Sequence, residues 1–181
     1  MEREAIEWFD RPGGEPAVIV APSTQWAAEA TRWLNRIRAA IGDPSVRLEH
    51  IGSTAVPGVP AKPVLDVQVC VPDLADEARY RPALESLGLI LRAREPGHRF
   101  FRPPAGEPRT VHVHVCEVGS VWESDQLRFR DALRASPETA RSYADLKQHL
   151  AETLGQDREA YTKGKSEFIK SVLAADPTRM T

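Results

Sequence analysis

The stretch His50-Ile51-Gly52-Ser53-Thr54, with Lys62-Pro63-Val64-Leu65-Asp66 after it, gathers residue types that handle phosphate and metal. Glycine lets a backbone come close to a phosphate, and the Ser53 and Thr54 hydroxyls and free amides can hydrogen-bond it. Lys62 can meet the same anion as a point charge. Asp66 supplies a hard oxygen that can hold a divalent ion against the phosphates. A second pair, His112 and His114, lies two apart in the alternating run from Arg109 to Val118. On a strand that spacing sets two imidazoles roughly 6.5–7 Å apart on one face, close enough to share one ion or one phosphate. With a reference pKa of about 6.5, either could serve instead as a general base.

Positioning these groups requires two strands. Arg47 to Ile51 alternates as a strand and ends at the Gly52-Ser53-Thr54 turn; Pro57, Gly58 and Pro60 follow, and a second strand runs from Val64 to Val71. Period two puts Leu65, Val67, Val69 and Val71 on one side, with Asp66, Gln68 and Cys70 on the other. In the later strand Val111, Val113 and Val115 oppose His112, His114 and Cys116. If the apolar sides share a core, Asp66, His112 and His114 face one cleft. The bland alternative is a half-exposed strand face with polar side chains.

The remaining pattern reads as an α/β fold. Ala17 to Ala21, Leu89 to Leu91 and His98 to Arg102 are further extended runs, giving a mixed sheet of about five strands. Trp26, Ala30, Trp33, Leu34, Ile37 and Ile41 form the inner stripe of an amphipathic helix that Ser23 or Thr24 caps. Asp73 opens another helical segment that Pro82 interrupts, and it ends at Gly88. From Ser120 onward three helices follow, the second restarting at Ser136-Pro137-Glu138 and the third running from Asp157 to about Ala174. Residues 1–16 read as a loose lead-in, 17–118 as the α/β core and 119–181 as a helical segment packed on it.

Bulk properties narrow the function classes. The chain has 181 residues, 41% apolar and 28% charged, with a net charge of −2. That composition is an ordinary globular one, and the charge does not suit a broad basic nucleic-acid surface. No apolar run approaches the roughly 20 residues of a membrane span. The two cysteines, Cys70 and Cys116, fall inside strands and read as buried, reduced and cytoplasmic. No Walker-type loop, dinucleotide fingerprint, Ser-His-Asp ordering or zinc-finger spacing occurs.

Glu49-His50-Ile51-Gly52-Ser53-Thr54, Val56-Pro57-Gly58, Ala61-Lys62-Pro63, Asp66 and His112-Val113-His114-Val115 together resemble the GrpB family. So do Phe129 to Arg134, Tyr143, Leu146-Lys147 and Tyr161-Thr162-Lys163 to Lys165. The resemblance spans about residues 18–174 and implies a nucleotidyltransferase-like mixed sheet with flanking helices. The resemblance names no substrate; taken with the residue chemistry above, it leads to the expectation of a phosphorylated small-molecule ligand, a nucleotide among them, with a divalent ion such as Mg²⁺, Mn²⁺ or Zn²⁺. It implies Asp66, His112 and His114 as catalytic or metal residues, and Gly52, Ser53, Thr54, Lys62, Arg130, Lys147 and Lys165 as phosphate contacts. That superfamily places two acids two apart after the glycine turn, whereas this chain has Asp66 and then Gln68. Either one metal suffices, or the cleft does other chemistry. The rival reading is a module that binds without transferring, like the GrpB-like domain fused to some dephospho-coenzyme A kinases.

Overall fold

The computed structural model describes residues 6–9, 18–154 and 157–175. Most of the expected lead-in, residues 1–5 and 10–16, lies outside them. Glu7–Trp8 forms a short strand, β1. Helix α1 (Gln25–Ile41) follows, with the Ser23 hydroxyl accepting from the Gln25 amide. It ends at Gly42, whose φ of 68° lets the backbone amide turn back to the Arg38 carbonyl. Strand β2 (Arg47–Ile51) leads into a 3₁₀ turn at Ser53–Ala55, and β3 spans Leu65–Val71. Pro82 splits the next segment as its chemistry demands. A 3₁₀ turn at Glu77–Arg79 is followed by α2 (Arg81–Ser86), with the proline in the first helical turn.

Strands β4 (Ile90–Glu95) and β5 (His98–Arg102) form a hairpin, and β6 (Val111–Glu117) precedes α3 (Val121–Ala135). Helices α4 (Pro137–Leu154), α5 (Arg158–Gly164) and α6 (Ser166–Ala175) close the chain. The third expected C-terminal helix is therefore divided at Lys165. Its amide bonds to Thr162, a tighter turn than the α-helical one. Gly164 lies so close to Leu150 that an added Cβ would sit 2.6 Å from a leucine methyl.

One sheet of six strands runs in the order β1-β4-β5-β6-β3-β2, parallel between β3 and β6 and antiparallel elsewhere. Pairing of Glu7 with Arg94 and Trp8 with Ala93 adds β1 at the edge, whereas the described part of the expected run from Ala17 to Ala21 makes only an isolated bridge, Val20 with Ala61. The valines of β3 and β6 are fully buried, against Trp26, Ala30 and Ile37 of α1 and Tyr80 and Leu84 beside it. That layer is the main core. On the opposite side Phe129, Leu133, Ala140 and Tyr143 form a second cluster with Val56, Val59 and α6 residues. The face thus formed is apolar along β3 and β6, with His50 and Arg99 on it at the flanking strands. The sheet's other face carries polar groups under the C-terminal helices.

Candidate metal and anion site

Parallel pairing of β3 with β6 sets Asp66 beside His112 and Gln68 beside His114. All four side chains leave the sheet on the same face, as period two requires. Asp66 Oδ1 lies 3.3 Å from His112 Nδ1 and 3.3 Å from His114 Nε2. The three side chains are partly open, between 19% and 30% exposed. Burial works against a charged carboxylate at Asp66. Hydrogen bonds from His112 and His114 outweigh it and hold the group well below the ordinary carboxylate range. One atom from each residue lies within 4.8 Å of the other two. Tetrahedral donors about 2.1 Å from a shared ion stand about 3.4 Å apart, which the two Asp66–histidine separations match. Two imidazoles and one carboxylate suit Zn²⁺, Mn²⁺ or a similar ion better than Mg²⁺.

Gly52 explains how the carboxylate reaches its place. Its backbone has φ 72° and ψ −172°, a region essentially reserved for glycine. A Cβ there would stand 2.4 Å from Asp66 Oδ2. Gly52 therefore makes room for Asp66 from the neighbouring strand. Thr54 is buried and shares a 2.9 Å hydrogen bond with His50 Nε2. Burial pushes the His50 imidazole down to about 4, so at neutral pH it is an uncharged prop for the turn. Burial raises the Tyr143 phenol well above its usual range, and the Ser53 hydroxyl acts against that rise. Ser53 thus faces Tyr143.

Three lysines gather beside this turn. Lys62 Nζ lies 3.9 Å from the centre of the Tyr161 ring, and Lys165 Nζ lies 4.8 Å from it. Lys147 is 2% exposed; its Nζ donates to the Pro60 carbonyl at 2.5 Å and lies 4.9 Å from the Tyr143 ring. Among the described residues no carboxylate stands within ion-pair distance of any of the three. Burial, then repulsion from Lys165, brings Lys62 down to about 8, with Asp66 working the other way. The same two causes bring Lys147 down to about 7. Burial lowers Lys165 as well, and Asp66 opposes it. Aromatic faces offset only part of the cost of desolvating an ammonium.

The remaining expected phosphate contact, Arg130, is engaged by protein groups. Arg130, nearly buried on α3, is bound by Glu49 and Asp131 at 2.8 Å and by the His50 carbonyl at 3.0 Å. It ties the helix to β2. Arg99 is held by Glu77 at 2.7 Å, and Arg102 is buried. Gln68 is fully buried, with its amide donating to Cys70 Sγ at 3.2 Å, so the place of a second acid is walled off from the cleft. Cys70 and Cys116 are buried and unlinked, with sulfurs 3.6 Å apart. Sequence reasoning missed His98 and Trp122. His98 Nε2 lies 3.0 Å from His114 Nδ1, and the Trp122 indole stacks 4.7 Å from the His98 ring. Only the pairing of Phe100 with His114 and His98 with Cys116 reveals this, and single-sequence patterning does not supply inter-strand register.

No described helix is long and apolar enough to cross a membrane. The family model for the GrpB protein matches residues 16–175. A UPF0157 protein of Streptomyces coelicolor is 41% identical over 163 residues, covering 88% of this chain and 86% of the relative. A dephospho-CoA kinase of Mycolicibacterium paratuberculosis is 30% identical, covering 86% of this chain but 44% of the kinase. The crystal structure of conserved protein GrpB from Enterococcus faecalis superposes with a TM-score of 0.76 at 28% identity, covering 86% of this chain and 94% of that one. With the family model spanning nearly the whole described chain and close relatives covered along most of their length, this protein belongs to the GrpB family.

Proposed function

We propose that the chain binds a phosphorylated small molecule, a nucleotide foremost, together with one divalent transition ion. The observation that carries this reading is the pairing of two complementary halves. Asp66, His112 and His114 offer a three-donor ion site, and Lys62, Lys147 and Lys165 lie alongside without acidic partners. Asp66 is felt electrostatically by both Lys62 and Lys165, which supports reading the two halves as parts of one site. The lysines would neutralise and orient phosphate oxygens, and the Tyr143 and Tyr161 rings would exclude water around them. A bound ion would supply Lewis acidity at the phosphoryl group.

A second reading, binding without transfer, is favoured by Gln68. A buried, neutral amide where nucleotidyl transfer uses a second carboxylate leaves only one acid for metal. Calorimetric titration of ATP, GTP, CTP and UTP with Mg²⁺, Mn²⁺ and Zn²⁺ tests the first reading. Binding of at least one pair, lost in Asp66→Asn, is expected; silence across all twelve combinations would overturn it. Pyrophosphate release separates transfer from simple binding.

A further inference from the structure

The contact between His98 and His114 is too specific in geometry to be packing alone. His98 is 6% exposed, and its ring centre lies 5.2 Å from that of His114, with the planes 19° apart. Together with the 3.0 Å Nε2···Nδ1 separation, those values describe two rings side by side, sharing an N–H···N bond along nearly a common plane. Trp122 lies flat against His98 at 14°, and Phe100 lies 5.1 Å from His114 at 27°. The pair is thus held by aromatic faces while its edges meet.

Which ring donates follows from the far side of His98. Its Nδ1 is buried without a hydrogen-bond partner among the described residues, and Glu95 Oε2 lies 3.6 Å from it. A carboxylate only accepts, so a proton on Nδ1 is attracted toward it, whereas a lone pair there would face another lone pair. A neutral His98 protonated at Nδ1 turns an unprotonated Nε2 toward His114, which must then donate from its own Nδ1. His114 Nε2 is left facing Asp66 Oδ1, with either a proton or an ion between them.

We infer that His98 is a positioning residue. Anchored by Glu95 and Trp122, it fixes His114 as an Nδ1–H donor and so presents His114 Nε2, beside Asp66 and His112, as a ligand atom for a divalent transition ion. This rests on the metal half of the proposed function. A hydrogen bond to the second nitrogen of a metal-bound imidazole orients the ring and raises its basicity, and its loss usually costs about 10–100-fold in metal affinity.

The test uses the full chain with ¹⁵N-labelled histidine and zinc alone as the probe. Long-range ¹⁵N–¹H correlation should show His98 protonated at Nδ1 and bare at Nε2, and His114 protonated at Nδ1, before and after zinc. His98→Phe keeps a ring against Trp122 but offers no acceptor. It should weaken zinc binding by about 10–100-fold, and His98→Gln, whose carbonyl can accept the same proton, should recover most of the loss. A proton on His98 Nε2 overturns the inference, whatever zinc does. So does His98→Phe binding zinc like the parent, or His98→Gln failing to recover what His98→Phe loses. If the unaltered chain shows the expected protonation pattern but takes up no zinc, the metal reading fails and the hydrogen-bond assignment stands.

Discussion

Substituting Gly52 by alanine should damage both the fold and the ion site, and the two losses can be separated. An alanine Cβ would lie 2.4 Å from Asp66 Oδ2 and 3.0 Å from the Asp66 Cβ and Cγ. Restoring an ordinary contact requires the carboxylate to move by about 1 Å. That movement pulls Oδ1 away from the two imidazoles now 3.3 Å from it. Holding alanine in glycine-only backbone adds about 1–3 kcal/mol. Gly58→Ala is the control, since its φ is 79° but nothing lies within 4 Å of the added carbon. It should lose about 1–2 kcal/mol from backbone strain alone and bind zinc normally. Gly52→Ala should lose at least about 1 kcal/mol more in urea unfolding and about tenfold or more in zinc affinity. The double variant Gly52→Ala/Asp66→Ala removes the Oδ2 and Cγ contacts and leaves only the 3.0 Å approach to the Cβ at 66, so its stability loss should fall short of the sum by about 0.5–3 kcal/mol. If Gly52→Ala matches Gly58→Ala in both stability and zinc binding, the close approach of Gly52 to Asp66 has no consequence and the reasoning fails.

Lys62 and Lys147 fold with values of about 8 and about 7, below the 10.5 of an ordinary lysine. The unfolded chain therefore binds more protons in this window, and stability should rise with pH from about 7 to about 10.5. Anion binding needs the charged lysines and should run the other way, weakening as pH climbs past 7 to 8; calorimetry with inorganic phosphate and urea melts on one buffer series would reveal both slopes. Lys147→Met should flatten the stability slope and weaken phosphate binding, and an unchanged phosphate isotherm would remove Lys147 from the pocket. Arg130→Met breaks charged hydrogen bonds to Glu49 and Asp131 and should cost about 1.5–3 kcal/mol with zinc affinity unchanged. Loss of phosphate binding in a stable Arg130→Met protein would instead make Arg130 an anion contact. Leu84, fully buried under the main core, should cost about 2–5 kcal/mol on replacement by alanine, read from the urea midpoint.

The histidine and aspartate half of the site was legible because strand alternation is a strictly local property. Asp66, His112 and His114 each sit between buried aliphatic residues, so one period-two reading puts them on the same face. What stayed hidden depends on register between strands. His98 lies in a run that reads correctly as a strand, yet its reach to His114 follows only from the β5–β6 pairing. Gly52 was expected to admit a phosphate; the close approach of the Asp66 carboxylate to it depends on the fold of the turn and was not legible. Lys147 and Lys165 came from family motif positions, since a lysine on a helix gives no local sign that it points inward. Strand β1 escaped notice because two residues are too few for a period. The division between α5 and α6 escaped because Lys165 continues a helical pattern, while the tight packing of Gly164 on Leu150 is a tertiary fact.

The central claim is that Asp66, His112 and His114 form one ion site on this face of the sheet. Equilibrium dialysis against zinc, on the unaltered chain and on Asp66→Asn, His112→Gln and His114→Gln, tests it most directly. The account predicts one zinc per chain in the parent, and a loss of affinity of about 100-fold or more in each folded variant, beyond what a supporting residue costs. Zinc uptake that survives all three substitutions, or none in the parent, would contradict it.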